Sequence, residues 1–133
     1  NLEIKSRPGG DYERIVDLML RGLEALHALD EAVVSSFDVR AVATVRRAAP
    51  PVRTAIIFSK SSRQAFAAAR RLSVWAVHPE KTLCTSARIR SARAAGRRVH
   101  AWTVNSPRDI RRVLAAGVDG IMSNYPARIP RVS

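Results

Sequence analysis

Strand-sized apolar runs alternate with helix-sized amphipathic segments from one end of this chain to the other, and that order constrains the fold more than any single motif. Over residues 11–28, Tyr12, Ile15, Val16, Met19, Leu23 and Leu26 recur at helical spacing, with Glu13, Arg14, Asp17, Arg21 and Glu24 on the other side. Residues 32–34 read as a short strand running into Ser35-Ser36-Phe37-Asp38, followed by an Ala- and Arg-rich helix over 39–48 that Pro50-Pro51 ends. Residues 54–58 form a continuous apolar strand, and 61–72 a helix that Ser61 or Ser62 can cap. A strand over 74–77 closes at His78-Pro79, and a helix over 82–95 stops at Gly96. After a strand over 99–104, Ser106 as N-cap, Pro107 at the first helical position and Asp109 in the first turn launch a helix to Ala116, with Gly117 at its end. A last strand spans 120–123.

The opening residues complete the pattern. In Asn1-Leu2-Glu3-Ile4-Lys5, Leu2 and Ile4 alternate with Glu3 and Lys5, so a strand here carries an acid and a base on one face. The Ser-Arg-Pro-Gly-Gly that follows is a loop, which puts both charges near the strand's C-terminal end, where βα proteins gather their active sites. Six strands that alternate with helices and are apolar on both faces predict a parallel sheet covered by helices. No G-x-G-x-x-G or P-loop pattern follows any strand, which weakens a nucleotide-binding open sheet. A closed (β/α) barrel normally takes about 200–250 residues and eight strands. The 133 residues therefore read as one domain, a partial TIM-type barrel of the α/β class whose N-terminal strands are missing.

No apolar run approaches the roughly 20 residues of a membrane span, and the compartment stays open. Cys84 is alone, so it makes no intrachain disulfide and reads as a small core residue. Twenty-three Lys and Arg against 11 acids give a net charge of +12, a field that attracts phosphates of any kind. One consequence is a rival reading, a basic nucleic-acid or anionic-surface binding module without catalysis. The Arg46-Arg47, Arg70-Arg71, Arg97-Arg98 and Arg111-Arg112 pairs and the Arg88, Arg90, Arg93 set would then contact phosphates. These groups fall on different helices or helix ends, with no aromatic interleaving and no reading helix, so specific nucleic-acid binding is not expected. Solvated helix faces whose Arg stems cover apolar surface are the plainer account. His78 reads as a satisfied loop histidine, and His27 and His100 show no partner pattern.

Four stretches, in this order and at these spacings, resemble one family. "NLEIK", "SSFD", "AWTVN" and "GVDGIMSNYP", with "AAGRRVHAWTVNSPRDIRRVLAAGVDGI" the most specific piece, are similar to the C-terminal half or more of a glycerophosphodiester phosphodiesterase. That resemblance implies a metal-dependent phosphoric diester hydrolase that converts a glycerophosphodiester and water to an alcohol and glycerol 3-phosphate. It implies that Glu3 is a carboxylate ligand of a divalent metal, Ca²⁺ or Mg²⁺, and that Lys5 points at the substrate phosphate. Trp102 resembles the aromatic wall beside the glycerol moiety, and Phe37 a second apolar wall. The chemistry fits, since both cations prefer carboxylate oxygen and a Lys charge offsets that on a phosphodiester oxygen. The family's early His-Arg pair, Glu-x-Asp pair and second His are not in this chain, so no residue here is assigned as catalytic acid or base. Ser123-Asn124 also stand where the family usually has Thr-Asp. The chain alone is therefore expected to be inert, and its exposed barrel edges are expected to favour self-association.

Overall fold

The computed structural model describes residues 1–9, 11–60 and 62–130. Its strands are β1 (Leu2–Glu3), β2 (Val33–Ser36), β3 (Arg53–Phe58), β4 (Ala76–Pro79), β5 (Arg98–Ala101) and β6 (Gly120–Ile121). Between them run α1 (Tyr12–Ala25), α2 (Val39–Ala48), α3 (Ser62–Arg71), α4 (Ser86–Ala94) and α5 (Pro107–Ala116). All five pairings are parallel, and the strands lie in the order β1-β2-β3-β4-β5-β6. A doubly wound sheet reverses direction at a switch point, whereas a barrel adds each strand beside the last. The observed order is the barrel's, so the chain is a six-stranded partial TIM-type barrel.

Two apolar layers hold the helices to the outer face. Ile4, Val34, Ala41, Val45 and Val52 pack with Tyr12 and Val16 of α1. Ile56, Phe58, Val77, Val99 and Ala101 pack with Ala65, Ala69, Ile89, Ile110 and Val113 of α3, α4 and α5. Because strand side chains alternate, the outward role of Ile4 turns Glu3 and Lys5 to the inner face. The register Ile57↔His78 and the continuation of β4 against β5 place Ile57, His78 and His100 in one inward row. His100 pairs with Gly120, where an added Cβ would come within 2.8 Å of the His100 ring.

Several boundaries differ from the sequence reading, each for a local reason. The fourth strand runs over Ala76–Pro79 rather than 74–77, so His78 is not a loop residue. Pro79 is tolerated as the strand's last residue, where its missing N–H interrupts no further rung. The expected helix over 82–95 is broken. Glu80 caps a 3-10 turn over Lys81–Leu83, and Thr85 then caps α4. Two side chains that bond local backbone N–H groups thus stop one continuous helix from forming. The α5 signals work as expected: Ser106 accepts from the Asp109 N–H, and Gly117 closes the helix at φ +93°. Of the two expected caps for α3, Ser61 lies outside the described residues. Cys84 is buried, and that burial is the chief cause pushing its thiol pKa up to about 11.

Candidate functional site

The C-terminal ends of the strands form one rim, and the residues singled out above stand along it. Lys5 Nζ lies 2.9 Å from Glu3 Oε2, with the Lys side chain 76% exposed and the Glu side chain 27%. Their backbone is fixed from β2: Ile4 N–H donates to the Ser35 carbonyl at 2.8 Å, and Ser36 Oγ donates to the Ile4 carbonyl at 2.7 Å. Those two serines, read only as the prelude to Phe37, set the height of the Glu3–Lys5 pair. Phe37 follows β2 directly and is exposed; its ring meets Trp102 edge-to-face at 5.4 Å and 85°. Two strands, β3 and β4, lie between β2 and β5, so this contact shows how far the sheet has curled.

Trp102 is held on both sides. Its indole N–H donates to the His78 carbonyl at 2.7 Å, its backbone N–H to the Pro79 carbonyl, and its own carbonyl accepts from the Lys81 N–H at 2.8 Å. With the indole N–H already committed, the partly exposed ring offers its apolar surface. His78 beneath it is wholly buried, stacked on His100 at 5.0 Å, and neither ring nitrogen has a hydrogen-bond partner among the described residues. The sequence reading of His78 as satisfied is therefore corrected. Burial first, then the neighbouring His100, holds its pKa down to about 3, so at neutral pH the ring is uncharged.

Two polar networks on the rim were not foreseen. Tyr12 Oη accepts from the Arg7 N–H and donates to Asp38 Oδ2 at 2.8 Å; Asp38 also caps α2 and pairs with Arg40 at 2.7 Å. The Arg40 and Tyr12 hydrogen bonds hold the Asp38 carboxyl well below the usual range against the opposing effect of burial. This network ties the loop after β1 to the end of β2, beside Lys5. An acid followed by an Arg two positions on was its only sequence signal. At the other end, Asn105 Oδ1 accepts from Ser123 Oγ at 3.3 Å and from the Asn124 N–H at 3.0 Å, while Ser123 Oγ accepts from the Tyr125 N–H. The Ser123-Asn124 pair thus joins a neutral amide network without a carboxylate.

A hard divalent cation takes six or more oxygen ligands, and no group of three or more His, Cys, Asp or Glu gathers among the described residues. Glu3, half-open on the rim, fits such a cation as one ligand and does not make a site alone.

The model for the glycerophosphoryl diester phosphodiesterase family matches residues 1–128. A glycerophosphodiester phosphodiesterase of Caldanaerobacter subterraneus subsp. tengcongensis is 24% identical over 126 residues, 95% of this chain and 51% of that protein. The uncharacterized Bacillus subtilis protein YqiK is 25% identical over 119 residues, 88% of this chain and 49% of YqiK. Among solved structures, an Oleispira antarctica phosphodiesterase in complex with the product sn-glycerol-3-phosphate superimposes with a TM-score of 0.84 at 21% identity, over 97% of this chain and 52% of that one. A glycerophosphodiester phosphodiesterase from Parabacteroides distasonis gives 0.81 at 17% identity, over 94% and 52%. These two likenesses establish the fold. The chain spans about half the length of the relatives it matches.

Proposed function

The chain belongs to the glycerophosphoryl diester phosphodiesterase family, and we propose that it supplies the phosphate- and glycerol-binding side of a phosphodiester hydrolase site. The observation that carries this reading is the inward Glu3–Lys5 pair on the same rim as the Phe37–Trp102 contact. In the reaction water attacks phosphorus, the bond to the alcohol oxygen breaks, and glycerol 3-phosphate and the alcohol leave. Lys5 is poised to leave Glu3 for a non-bridging phosphate oxygen, where its ammonium offsets charge that grows during attack. Glu3, so released, offers carboxylate oxygen to a Ca²⁺ or Mg²⁺ ion. When bound, such an ion supplies further charge neutralisation at the phosphoryl oxygens. The Trp102 face and the Phe37 edge form an apolar wall that fits the C–H surface of glycerol and keeps water from that side. None of the four residues is an acid or base placed to move the proton, so that step is not assigned to them.

The test is a titration of the ¹⁵N-labelled chain with glycerol 3-phosphate in the presence of Mg²⁺ or Ca²⁺. Trp75 and Trp102 give separate indole N–H resonances. Movement of the Trp102 resonance, lost in Lys5→Ala, is expected. A Trp102 resonance that stays put, or that moves equally in Lys5→Ala, contradicts the assignment.

A further inference from the structure

Some members of the basic pairs and sets in the sequence have partners. Arg47 pairs with Glu13, Arg93 with Asp119, and Arg112 reaches Asp109 and the carbonyls of Lys81 and Cys84. At the opposite end of the barrel from the rim, the loops entering β3, β4 and β5 border an open groove of about 280 Å³. Arg46, Arg53, Arg97, Thr54, Ser73 and Trp75 line it. None of these three arginines makes an ion pair among the described residues, and Arg46 gives a hydrogen bond only to the Pro50 carbonyl. Arg53 lies 5.3 Å from the Trp75 ring centroid and Arg98 5.4 Å. Two guanidiniums on one indole lie within about a Debye length of each other at 0.1 M salt, so their repulsion is only partly screened. Asp119, an acid close enough to feel the Arg98 charge, is already engaged by Arg93 and the Val99 N–H.

A second observation is independent of charge. Thr54 is 1% exposed, lines this groove, and its Oγ1 has no hydrogen-bond partner among the described residues. Arg97 Nε, another lining group, is likewise buried and unpaired. A buried hydroxyl without a partner is destabilising in a fold that gains nothing else from it, and so is an unpaired guanidinium N–H. An acceptor-rich anion seated against Thr54 and Arg97 would give both groups a partner.

We propose that this N-terminal face carries a second anion site, built by Arg46, Arg53, Arg97 and Thr54 beside Trp75, that takes a phosphate group. Tetrahedral oxyanions suit it because guanidinium forks meet phosphate oxygens in pairs. The groove is near the small end of ligand pockets, roughly 300 Å³, so it suits a phosphate with a small substituent rather than an extended ligand. The site stands apart from the rim and does not depend on the catalytic reading. Its ligand is either a soluble phosphate ester or the exposed phosphate of a lipid headgroup, and the chemistry is the same for both.

The experiment uses the whole chain and follows the Trp75 indole N–H resonance during titration with inorganic phosphate. Saturable movement with a Kd on the order of 1 mM is expected, as a few charge-assisted hydrogen bonds support. Arg53→Gln and Arg97→Gln should each weaken it about tenfold, whereas Lys5→Ala should leave it unchanged. Thr54→Val supplies a readout that a purely structural role would not give: thermal stability should rise while phosphate affinity falls. Sedimentation with phosphatidic acid vesicles, competed by free phosphate, identifies a lipid source. Phosphate binding without vesicle binding identifies a soluble one. The proposal is overturned if Trp75 does not respond to phosphate, if the two arginine variants bind as well as the native chain, if Thr54→Val loses stability, or if only duplex nucleic acid perturbs Trp75.

Discussion

Acid should unfold this chain through His78. The ring is wholly buried and stacked on His100, and burial chiefly, with the His100 charge second, holds its pKa down to about 3. In the unfolded chain it returns to about 6.5. Between those values the unfolded state binds one more proton than the folded state, so stability rises with pH across the window. It is fully present above about pH 6.5 and is lost as the pH falls towards 3. One pH unit well inside the window is about 1.4 kcal/mol, so moving from about pH 6.5, where the unfolded ring is half protonated, to about 4.5 should remove about 2 kcal/mol, a sizeable share of the 5–15 kcal/mol that a domain has. His100, lowered mainly by its own burial, acts in the same direction. The assay is urea unfolding at several pH values for the native chain and for His78→Phe, which keeps an aromatic ring against His100 and removes the proton site. The native chain should lose stability steeply below about pH 6.5, and the variant should lose well under half as much. Parallel pH dependences for the two proteins would refute the argument, whatever their absolute stabilities.

Gly120→Ala should destabilise by about 1–3 kcal/mol through overpacking, because the new methyl meets the His100 ring at 2.8 Å; an unchanged thermal midpoint would contradict this. Tyr12→Phe removes the hydroxyl that joins the Arg7 N–H to Asp38 and should cost about 1 kcal/mol in chemical unfolding. It should also loosen the loop after β1, which faster amide exchange at Arg7 would show. The two outer strands, β1 and β6, are only two residues long and expose unpaired backbone, so size-exclusion chromatography should show concentration-dependent association; a strict monomer at every concentration would count against it.

The alternation of strands and helices was legible because the strands carry apolar runs, continuous over both faces in residues 54–58 of β3, as burial between helices and barrel interior requires. Both ends of α5 were legible to the residue, since Ser106 and Pro107 act in its first turn and Gly117 directly after its last. The break at Cys84 was not, because a run of helix formers over 86–94 hides the competition from Glu80 and Thr85. His78 was misread for a different reason. A His-Pro pair signals a turn locally, while the strand is prolonged by its neighbours: the Phe58 carbonyl accepts from Glu80 and the Pro79 carbonyl from Trp102. On the rim, the alternation in Asn1–Lys5 placed Glu3 and Lys5 on one face. The Phe37–Trp102 contact and the Thr54 groove depend on curvature and on loops distant in sequence, which no local pattern encodes.

The central claim is that Glu3 and Lys5 are this chain's share of a metal-dependent phosphodiesterase site. Its most direct measurement joins the 133 residues, in frame, behind the early strands of the Caldanaerobacter relative and follows glycerophosphocholine hydrolysis with Ca²⁺ or Mg²⁺. The chain alone should release product no faster than buffer, since positioned acid/base groups contribute about 10²- to 10⁴-fold and Glu3 cannot hold a cation by itself. The joined protein should turn over with added metal. Its Glu3→Gln variant, equal in size but without the charge, should keep its fold by circular dichroism and lose activity on the order of a hundredfold or more, the equivalent of several kcal/mol of cation stabilisation. Turnover by the chain alone, or a joined enzyme indifferent to Glu3→Gln, would mean that the chemistry runs on other residues.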